Sequence, residues 1–241
     1  MTPRVVAIVQ ARMGSSRLPG KSLAPVAGKP MLAHVLGRAK QIDGVDAVVL
    51  ATTTEDRDTP LTWVADDCGV RWYRGDEHDV LNRFAYAAAA EQADVVMRIT
   101  GDCPLLAPDV CALVLRDYLD LQEPPVDYVS NDTTRSGYPD GMDCEVFGRT
   151  ALSSANLSAP MHAPWVHGPR EHVTTWIRET GISRTVMNPD RRYPRPYLYK
   201  LSVDSRGDLA RIRELFGYLP DGGISFDATM CAVARHMEDY A

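Results

Sequence analysis

The sequence has few cysteines, and none has the spacing of a metal site or a disulfide framework. There are five cysteines among 241 residues, an odd number, and no pair has the Cys-x-x-Cys spacing typical of zinc sites. No apolar run approaches the roughly 20 residues that cross a bilayer, so no membrane partner is expected. The four residues before the first apolar run leave no room for a signal peptide, and we expect a cytoplasmic protein.

Long basic runs are also missing. The formal net charge is −6 at pH 7 and no stripe of Lys or Arg is present, so no nucleic-acid partner is expected. Apolar residues make up 45% of the chain and charged residues 24%, which is ordinary for a globular protein. Composition therefore excludes several broad classes, and the function has to be inferred from short motifs.

Strand and helix patterns alternate over the first half of the chain. Such an alternation predicts βαβ units, hence an α/β fold with a mostly parallel central sheet flanked by helices. Asp79 is predicted to cap one of the helices. The predicted strands are 5–10, 45–53, 70–73 and 95–100, and the predicted helices are 30–42, 59–68, 80–92 and 108–121.

The pattern becomes irregular after residue 121, where prolines interrupt the chain. We predict a single domain, 1–241, in which a nucleotide-binding part, 1–122, carries an inserted, partly antiparallel lobe, 123–200, before the C-terminal part, 201–241. Within the later parts the predicted strands are 126–130, 142–147, 184–187 and 197–203; a helix is predicted at 170–180, and two more close the chain.

A loop rich in Gly, Ser and cationic side chains follows the first predicted strand. Arg12, Arg17 and Lys21 can supply countercharge to a polyphosphate, and glycines let backbone amides approach phosphate oxygens. Five residues separate Gly14 from Gly20, whereas the P-loop pattern requires four. The loop therefore predicts a phosphate site that is not a P-loop; a basic surface loop is the alternative.

Two aspartates follow predicted strands. Asp102 comes just after strand 95–100, and Asp204 directly follows strand 197–203. Because ligands of open parallel sheets bind at the carboxyl ends of strands, these side chains are candidates for one site. Two carboxylates with substrate phosphates suit Mg²⁺, so Mg²⁺ is the predicted cofactor; a turn or a helix cap is the alternative for each aspartate alone.

Further cationic side chains are candidates for recognition. Arg74 or Arg83 could donate to a nucleobase carbonyl, and the alternative is a capped helix with solvated charges. Candidate contacts for an anionic acceptor lie later in the chain; they are Arg135, Arg170, His172 and Lys200.

Together these segments resemble the cytidylyltransferase-like family of spore coat polysaccharide biosynthesis protein F, which is similar to the CMP-Kdo and CMP-sialic acid synthetases. The resemblance implies a GT-A-like (Rossmann-like) nucleotidyltransferase fold, CTP as substrate, and a homodimer formed through the inserted lobe. The motifs that carry it include Gln-Ala-Arg-Met-Gly-Ser-Ser-Arg-Leu-Pro-Gly-Lys at 10–21, Arg-Ile-Thr-Gly-Asp-Cys-Pro-Leu at 98–105, Tyr-Pro-Asp-Gly-Met-Asp at 138–143 and Arg-Glu-His-Val-Thr at 170–174.

The resemblance also implies roles for individual residues. Arg12 and Lys21 would hold the triphosphate, and Asp102 and Asp204 would bind Mg²⁺; these four are the predicted catalytic residues. The synthetases usually continue Val-Asp with Thr-Pro-Glu-Asp-Leu, whereas Asp204 is followed here by Ser-Arg-Gly-Asp-Leu. The predicted CTP contacts are Ala11, Arg12, Gly14, Ser15, Arg17, Lys21, Ala51, Thr52, Arg74 and Arg83.

The predicted activity is transfer of CMP from CTP to an anionic acceptor with release of pyrophosphate. The acceptor could be an acidic sugar, a phosphonate or a sugar phosphate. Two other functions remain open, a nucleotide-binding protein of polysaccharide assembly without catalysis and a GT-A-type glycosyltransferase. The latter class uses an Asp-x-Asp metal motif; Asp56-Arg57-Asp58 has that spacing, but it follows a polar loop and is interpreted as a solvated turn.

Overall fold

A seven-stranded sheet forms the centre of the molecule. The computed structural model describes residues 2–120, 125–132, 136–159, 168, 170–190, 192–193, 198–220 and 223–239. The strands are β1 Val5–Gln10, β2 Pro25–Val26, β3 Lys29–Pro30, β4 Ala47–Thr53, β5 Arg71–Gly75, β6 Val95–Thr100, β7 Tyr128–Ser130, β8 Glu145–Gly148 and β9 Ser183–Thr185.

Helices cover both faces of the sheet. In the described part of the chain, no helix has the length and apolar character needed to cross a bilayer. The helices are α1 Met31–Ala39, α2 Thr59–Asp67, α3 Val80–Ala90, α4 Pro108–Asp120, α5 Arg149–Ser158, α6 Thr175–Thr180, α7 Arg206–Tyr218 and α8 Phe226–Asp239, and short 3-10 turns occupy Lys21–Leu23 and Asp56–Asp58.

The strand order in the large sheet is β5-β4-β1-β6-β8-β7-β9. Strands β4 and β6 both run parallel to β1 on its two sides, and β5 runs parallel to β4. Strand β8 is antiparallel to β6 and β7. The predicted α/β class, a mostly parallel sheet flanked by helices, is confirmed. The chain changes direction across the sheet at β1 and β6, where α/β sheets open a ligand crevice.

Strand β1 is buried on both faces, which explains its uninterrupted apolar sequence. Val5, Ala7 and Val9 pack with α1, α2 and α4, whereas Val6 and Ile8 pack with α3, α5 and α6. A third core holds α7 and α8 against the edge of the domain. Burial on both faces makes β1 a rigid base for the loop that follows it.

The segment 123–200, predicted to be an inserted lobe, contributes β7, β8 and β9 to the same sheet. The strand predicted at 197–203 is not formed by its described residues, 198–203, whose backbone makes only an isolated bridge between Lys200 and Asp140. The helix predicted at 170–180 begins at Thr175, because a turn with positive φ at Val173 precedes it. Helix α5 was not predicted, since three serines and an asparagine weaken its apolar pattern.

Candidate active site

A cleft of about 400 Å³ opens beyond the carboxyl ends of β1 and β6. Residues of the loop after β1 form one wall, and Thr100, Gly101 and Asp102, at and just after the end of β6, form another. Gly101 packs against β1 so closely that a Cβ there would lie 2.7 Å from the carbonyl oxygen of Gln10. The predicted contacts that line this cleft are Ala11, Arg12, Gly14, Ser15, Arg17, Lys21, Arg83, Asp102, His172 and Asp204.

The conformation of the loop after β1 is fixed by hydrogen bonds that are partly buried. The amide of Met13 donates to Oδ1 of Asp58 at 2.6 Å, and the carbonyl of Met13 accepts from the amide of Gly20 at 3.0 Å. Gly20 has a positive φ of 75°, which favours glycine, and only a 3-10 turn follows it. The loop is therefore not the helix-capped nest of a P-loop.

Asp58 has a structural environment. Its side chain is fully buried and also accepts a hydrogen bond from the hydroxyl of Thr53. The Asp-x-Asp sequence that contains it forms a 3-10 turn outside the cleft lining. Asp56 and Arg57 are exposed, as expected for a solvated turn, whereas the buried Asp58 ties the loop after β1 to the end of β4.

Lys21 joins the two aspartates. Its Nζ lies 2.8 Å from Oδ2 of Asp102, 3.1 Å from Oδ1 of Asp204 and 2.6 Å from the carbonyl oxygen of Val203. The amide of Val203 in turn donates to the carbonyl of Asp102 at 2.9 Å. The Lys21 side chain is 11% exposed, so this cation is largely enclosed. Two carboxylates from distant parts of the chain therefore converge on one positive charge.

Asp204 is kept ionised by its neighbours. Burial alone would raise its pKa, but hydrogen bonds from Lys200 and Lys21 outweigh burial and lower it. Lys200 contacts Oδ2 of Asp204 at 2.9 Å and Oδ2 of Asp208 at 3.0 Å. Hydrogen bonds from Arg211, Lys200 and Ser205 likewise overcome burial and lower the pKa of Asp208.

The sequence after Asp204, which differs from that usual in the synthetases, forms the start of a helix. The hydroxyl of Ser205 accepts from the amide of Asp208 at 3.2 Å, and the Asp208 side chain accepts from the amide of Ser205 at 2.9 Å. This reciprocal pair is a capping box at the start of α7. Helix α7 thus begins immediately after the predicted metal ligand and fixes its backbone.

The other cations of the loop also face carboxylates. Arg12 lies 3.4 Å from Oε1 of Glu77 and 3.7 Å from Oε1 of Glu171. Arg17 contacts Oδ1 of Asp204 at 2.8 Å. Sequence reasoning missed Glu77 and Glu171, because a carboxylate is not expected beside a phosphate loop.

Arg83 and Arg74 have different environments. Arg83 is 3% exposed, donates to the carbonyl of Asp76 at 2.9 Å and leaves its Nε without a hydrogen-bond partner. Burial, followed by the nearby Arg12, lowers its pKa to about 10. Arg74 instead donates to the carbonyl oxygens of Thr53 at 2.7 Å and Glu55 at 2.9 Å. Only Arg83 of the two lines the cleft.

The remaining predicted nucleotide contacts lie in β4. Ala51 and Thr52 are fully buried, and neither lines the cleft. Ala51 pairs with Gln10 at the end of β1. The Oγ1 atom of Thr52 is buried without a hydrogen-bond partner. Both residues therefore lie in the sheet that supports the cleft.

The predicted acceptor contacts are dispersed. His172 lines the cleft, whereas Arg170 is 8% exposed and donates to both carboxylate oxygens of Asp79, at 2.9 and 2.8 Å, and to Asn156. The ammonium group of Lys200 pairs with Asp204 and with Asp208 of α7, and not with described residues of the segment β7–β9. Arg135 lies outside the described residues.

The two aspartates fit a magnesium ion. They present carboxylate oxygens around a single point that already attracts an ammonium group, and oxygen ligands are those that Mg²⁺ prefers. Among the described residues, no group of three or more His, Cys, Asp or Glu side chains could hold a metal. A pair of carboxylates completed by substrate phosphates is therefore the arrangement that these residues support.

Comparison with known proteins defines the class of the enzyme. The family model for cytidylyltransferases matches residues 6–154. The spore coat polysaccharide biosynthesis protein SpsF of Bacillus subtilis (strain 168) is 30% identical over 226 residues, which cover 90% of this chain and 89% of SpsF. The chain belongs to the cytidylyltransferase family and is a nucleotidyltransferase, so the family resemblance predicted from its motifs is confirmed.

Solved structures agree with this assignment. A cytidylyltransferase from Leptospira borgpetersenii serovar Hardjo-bovis has a TM-score of 0.87 and 26% identity, covering 98% of this chain and 96% of that one. A CMP:2-keto-3-deoxy-manno-octonic acid synthetase complexed with CTP has a TM-score of 0.64, 21% identity and coverage of 89% and 98%. Rv0371c of Mycobacterium tuberculosis H37Rv, in complex with manganese, has a TM-score of 0.58, 18% identity and coverage of 88% and 98%. The last two show that the fold is shared.

Proposed function

We propose that the protein is a Mg²⁺-dependent cytidylyltransferase that transfers CMP from CTP to an anionic acceptor and releases pyrophosphate. The observation that carries the proposal is the convergence of Lys21, Asp102 and Asp204 in a cleft at the switch point of the sheet. Membership of the cytidylyltransferase family and the CTP bound in a structural neighbour support the choice of nucleotide.

In this reaction an acceptor oxygen attacks the α-phosphorus of CTP. The bond from that phosphorus to the α–β bridging oxygen breaks, and its electron pair leaves with pyrophosphate. Arg12 and Lys21 hold the β- and γ-phosphates and neutralise the charge that the leaving group gains, with Arg17 nearby. An acceptor that is already a phosphonate or carboxylate anion needs no strong base.

Asp102 and Asp204 would hold Mg²⁺, which supplies positive charge at the α-phosphate when bound. Arg83 donates from the wall of the cleft to the base or ribose, and Ala51, Thr52 and Arg74 shape the strand ends beside it. His172 faces the acceptor. Arg170 supports the turn that carries His172, because its guanidinium is fixed by Asp79.

Pyrophosphate release tests the proposal directly. The protein is incubated with Mg²⁺, one of CTP, UTP, ATP and GTP, and an acidic sugar, a phosphonate or a sugar phosphate. Release is expected with CTP and one acceptor class and is lost in the Asp102→Asn and Asp204→Asn variants. No release with any acceptor, or tight binding of ATP but not CTP, would contradict the proposal. The homodimer through 123–200 stays a prediction, which sedimentation velocity tests.

A further inference from the structure

A second cavity, of about 230 Å³, adjoins the nucleotide cleft. Thr100, at the end of β6, lines both spaces. Its other described lining residues lie on or next to β6, β7, β8 and α6, on the side of the sheet away from β4 and β5. A molecule that reaches the metal aspartates from this side would leave one end in the second cavity. Its charged lining residues are Arg98, Arg178, Asp132, Asp143 and Glu145.

Both arginines of this cavity are already paired. Arg98 donates to Oε2 of Glu145, whose other oxygen accepts from the hydroxyls of Tyr128 at 2.7 Å and Thr174 at 2.8 Å. These donors outweigh the effect of burial and lower the pKa of Glu145. Arg178 lies 3.8 Å from Oδ2 of Asp132. Two of the three carboxylates are thus matched by cations of the protein.

Asp143 is the carboxylate that remains. Its Oδ2 accepts from the amide of Gly141 at 3.0 Å, and within the described ranges no Lys, Arg or His forms an ion pair with it. Burial, followed by Asp140, Asp132 and Glu145, raises its pKa to about 7. Among the described lining residues, the cavity therefore holds one more carboxyl group than cationic side chains.

The backbone turn that precedes Asp143 is fixed in position by its contacts. Gly141 has a positive φ of 101°, and a Cβ there would lie 2.5 Å from the carbonyl carbon of Leu201. Asp140 accepts from the hydroxyl of Ser202 at 2.9 Å and from the amide of Leu201 at 2.6 Å. The turn is therefore clamped onto the segment that ends in Asp204, and Asp143 is held at a fixed place beside the cleft.

We propose that this cavity binds an ammonium group of the acceptor, with the carboxylate of Asp143 as its partner. The acceptor is then an anion at the end that attacks CTP and a cation at the other end, such as an amino sugar phosphate, an amino sugar acid or an aminoalkylphosphonate. The inference rests on the proposed function for the position of the attacking end. An ammonium group offsets the charge of the Asp143 carboxylate and donates hydrogen bonds to it, whereas a hydroxyl group donates a hydrogen bond but brings no positive charge.

A metal ion is a weaker candidate for the same place. Arg98 and Arg178 line the cavity and repel a divalent cation more strongly than a monovalent one, and three donors leave Glu145 only about one free lone-pair site. A single carboxylate rarely suffices to hold a divalent ion. A monovalent organic cation needs only one such partner.

Three matched pairs of probes test the inference: glucosamine 6-phosphate and glucose 6-phosphate, glucosaminic acid and gluconic acid, and 2-aminoethylphosphonate and 2-hydroxyethylphosphonate. Each is titrated calorimetrically into the full chain with Mg²⁺ and a CTP analogue whose α–β bridge is a methylene group. At least one amine is expected to bind about tenfold or more tightly than its hydroxyl partner, as for a hydrogen-bonded charge. If every amine binds no tighter than its partner, the inference is overturned.

Variants identify the partner of the ammonium group. Asp143→Asn is expected to reduce the preference to less than about twofold while the affinity for the CTP analogue stays unchanged. Asp132→Asn serves as a second variant. It leaves Arg178 without its carboxylate partner, so Arg178 repels the ammonium group of the probe and amine binding is expected to weaken too. Asp43→Asn, in an exposed loop before β4, is the control and keeps the preference. A preference that persists in Asp143→Asn contradicts the assignment.

The two proposals can fail separately. Amine preference is measured without turnover, so it does not depend on pyrophosphate release. If CTP turnover is observed with a hydroxyl acceptor and no amine preference exists, only this inference fails. If the amine preference is present but no acceptor supports pyrophosphate release from CTP, the proposed function fails instead.

Discussion

The Nζ atom of Lys21 lies 2.8 Å from Oδ2 of Asp102. The same atom contacts Asp204 at 3.1 Å, so a cation of the protein stands between the two proposed metal ligands. A divalent ion held by these carboxylates has to displace the ammonium group or share its oxygens. Under the proposed function, a displaced Lys21 would be available to the phosphates of CTP, which would couple metal binding to phosphate binding.

Lys21→Met is expected to separate these two effects. Without the competing ammonium group, Mg²⁺ alone binds the two aspartates more tightly and raises the melting temperature more than it does in the unchanged protein. The value of kcat/KM for CTP is expected to fall about 100-fold or more, because a charge that stabilises the transition state is lost. Thermal unfolding with and without Mg²⁺ and pyrophosphate release measure the two quantities.

The matched control is Lys40→Met, on an exposed residue that follows α1 at the opposite edge of the sheet. It is expected to leave both the Mg²⁺ response and kcat/KM within about twofold of the unchanged protein. An equal Mg²⁺ response in Lys21→Met and the unchanged protein would show that the ammonium group does not compete for the metal position.

The parts of the site that follow buried strands were predictable from the sequence. Strands β1 and β6 match the predicted ranges 5–10 and 95–100, because burial gives β1 an uninterrupted apolar run and β6 a run interrupted only by Arg98. Lys21 and Asp102 follow these strands at short range, so their proximity could be anticipated from the shared sheet edge. The cap at Asp79 was also predicted and is confirmed by its acceptance of the Asn82 amide at 3.0 Å.

Long-range pairing of side chains was not predictable. Arg170 resembles a free anion contact in the sequence, yet its partner Asp79 is 91 positions away and was assigned only a capping role. No pattern in the sequence around Asp79 indicates that this aspartate both caps a helix and pairs with Arg170. Helix α5 was missed for a related reason: Leu152 and Ala155 are the residues it buries, and their partners lie on other elements.

Arg170→Met is expected to destabilise the fold. The guanidinium that is removed is only 10% exposed and Asp79, which loses its charged partner, is 21% exposed; breaking such a pair costs about 3 kcal/mol. Urea unfolding measures the loss. Since Arg170 supports the turn of His172, kcat is expected to fall as well, while KM for CTP changes little. Arg116→Met, on an exposed residue of α4, is the control and is expected to change stability by less than about 0.5 kcal/mol.

Arg83→Met is expected to raise KM for CTP about tenfold or more. The guanidinium of Arg83 lines the cleft with an unused Nε donor, and a hydrogen bond from a charged group contributes roughly 1.5–3 kcal/mol. Arg74→Met is expected to change KM less, because Arg74 already donates to two backbone carbonyls. Steady-state kinetics with CTP and UTP measure both effects. A larger effect on KM in Arg74→Met than in Arg83→Met would show that Arg74, and not Arg83, is the main contact of the nucleotide.

Asp143 is expected to make stability fall as the pH rises. Burial and then the carboxylates of Asp140, Asp132 and Glu145 raise its pKa to about 7 in the folded protein, against about 3.9 in an unfolded chain. Between these values the unfolded state releases the proton and the folded state keeps it, so this group favours unfolding increasingly from about pH 4 to pH 7.

The variant Asp143→Asn removes this titration. Its free energy of unfolding relative to the unchanged protein is therefore expected to increase with pH by up to about 1.4 kcal/mol per unit, and to level off above pH 7. Urea unfolding at several pH values measures the difference, with Asp43→Asn as a control whose difference stays flat. A difference for Asp143→Asn that does not depend on pH would mean that the carboxyl group is already ionised and paired in the folded protein.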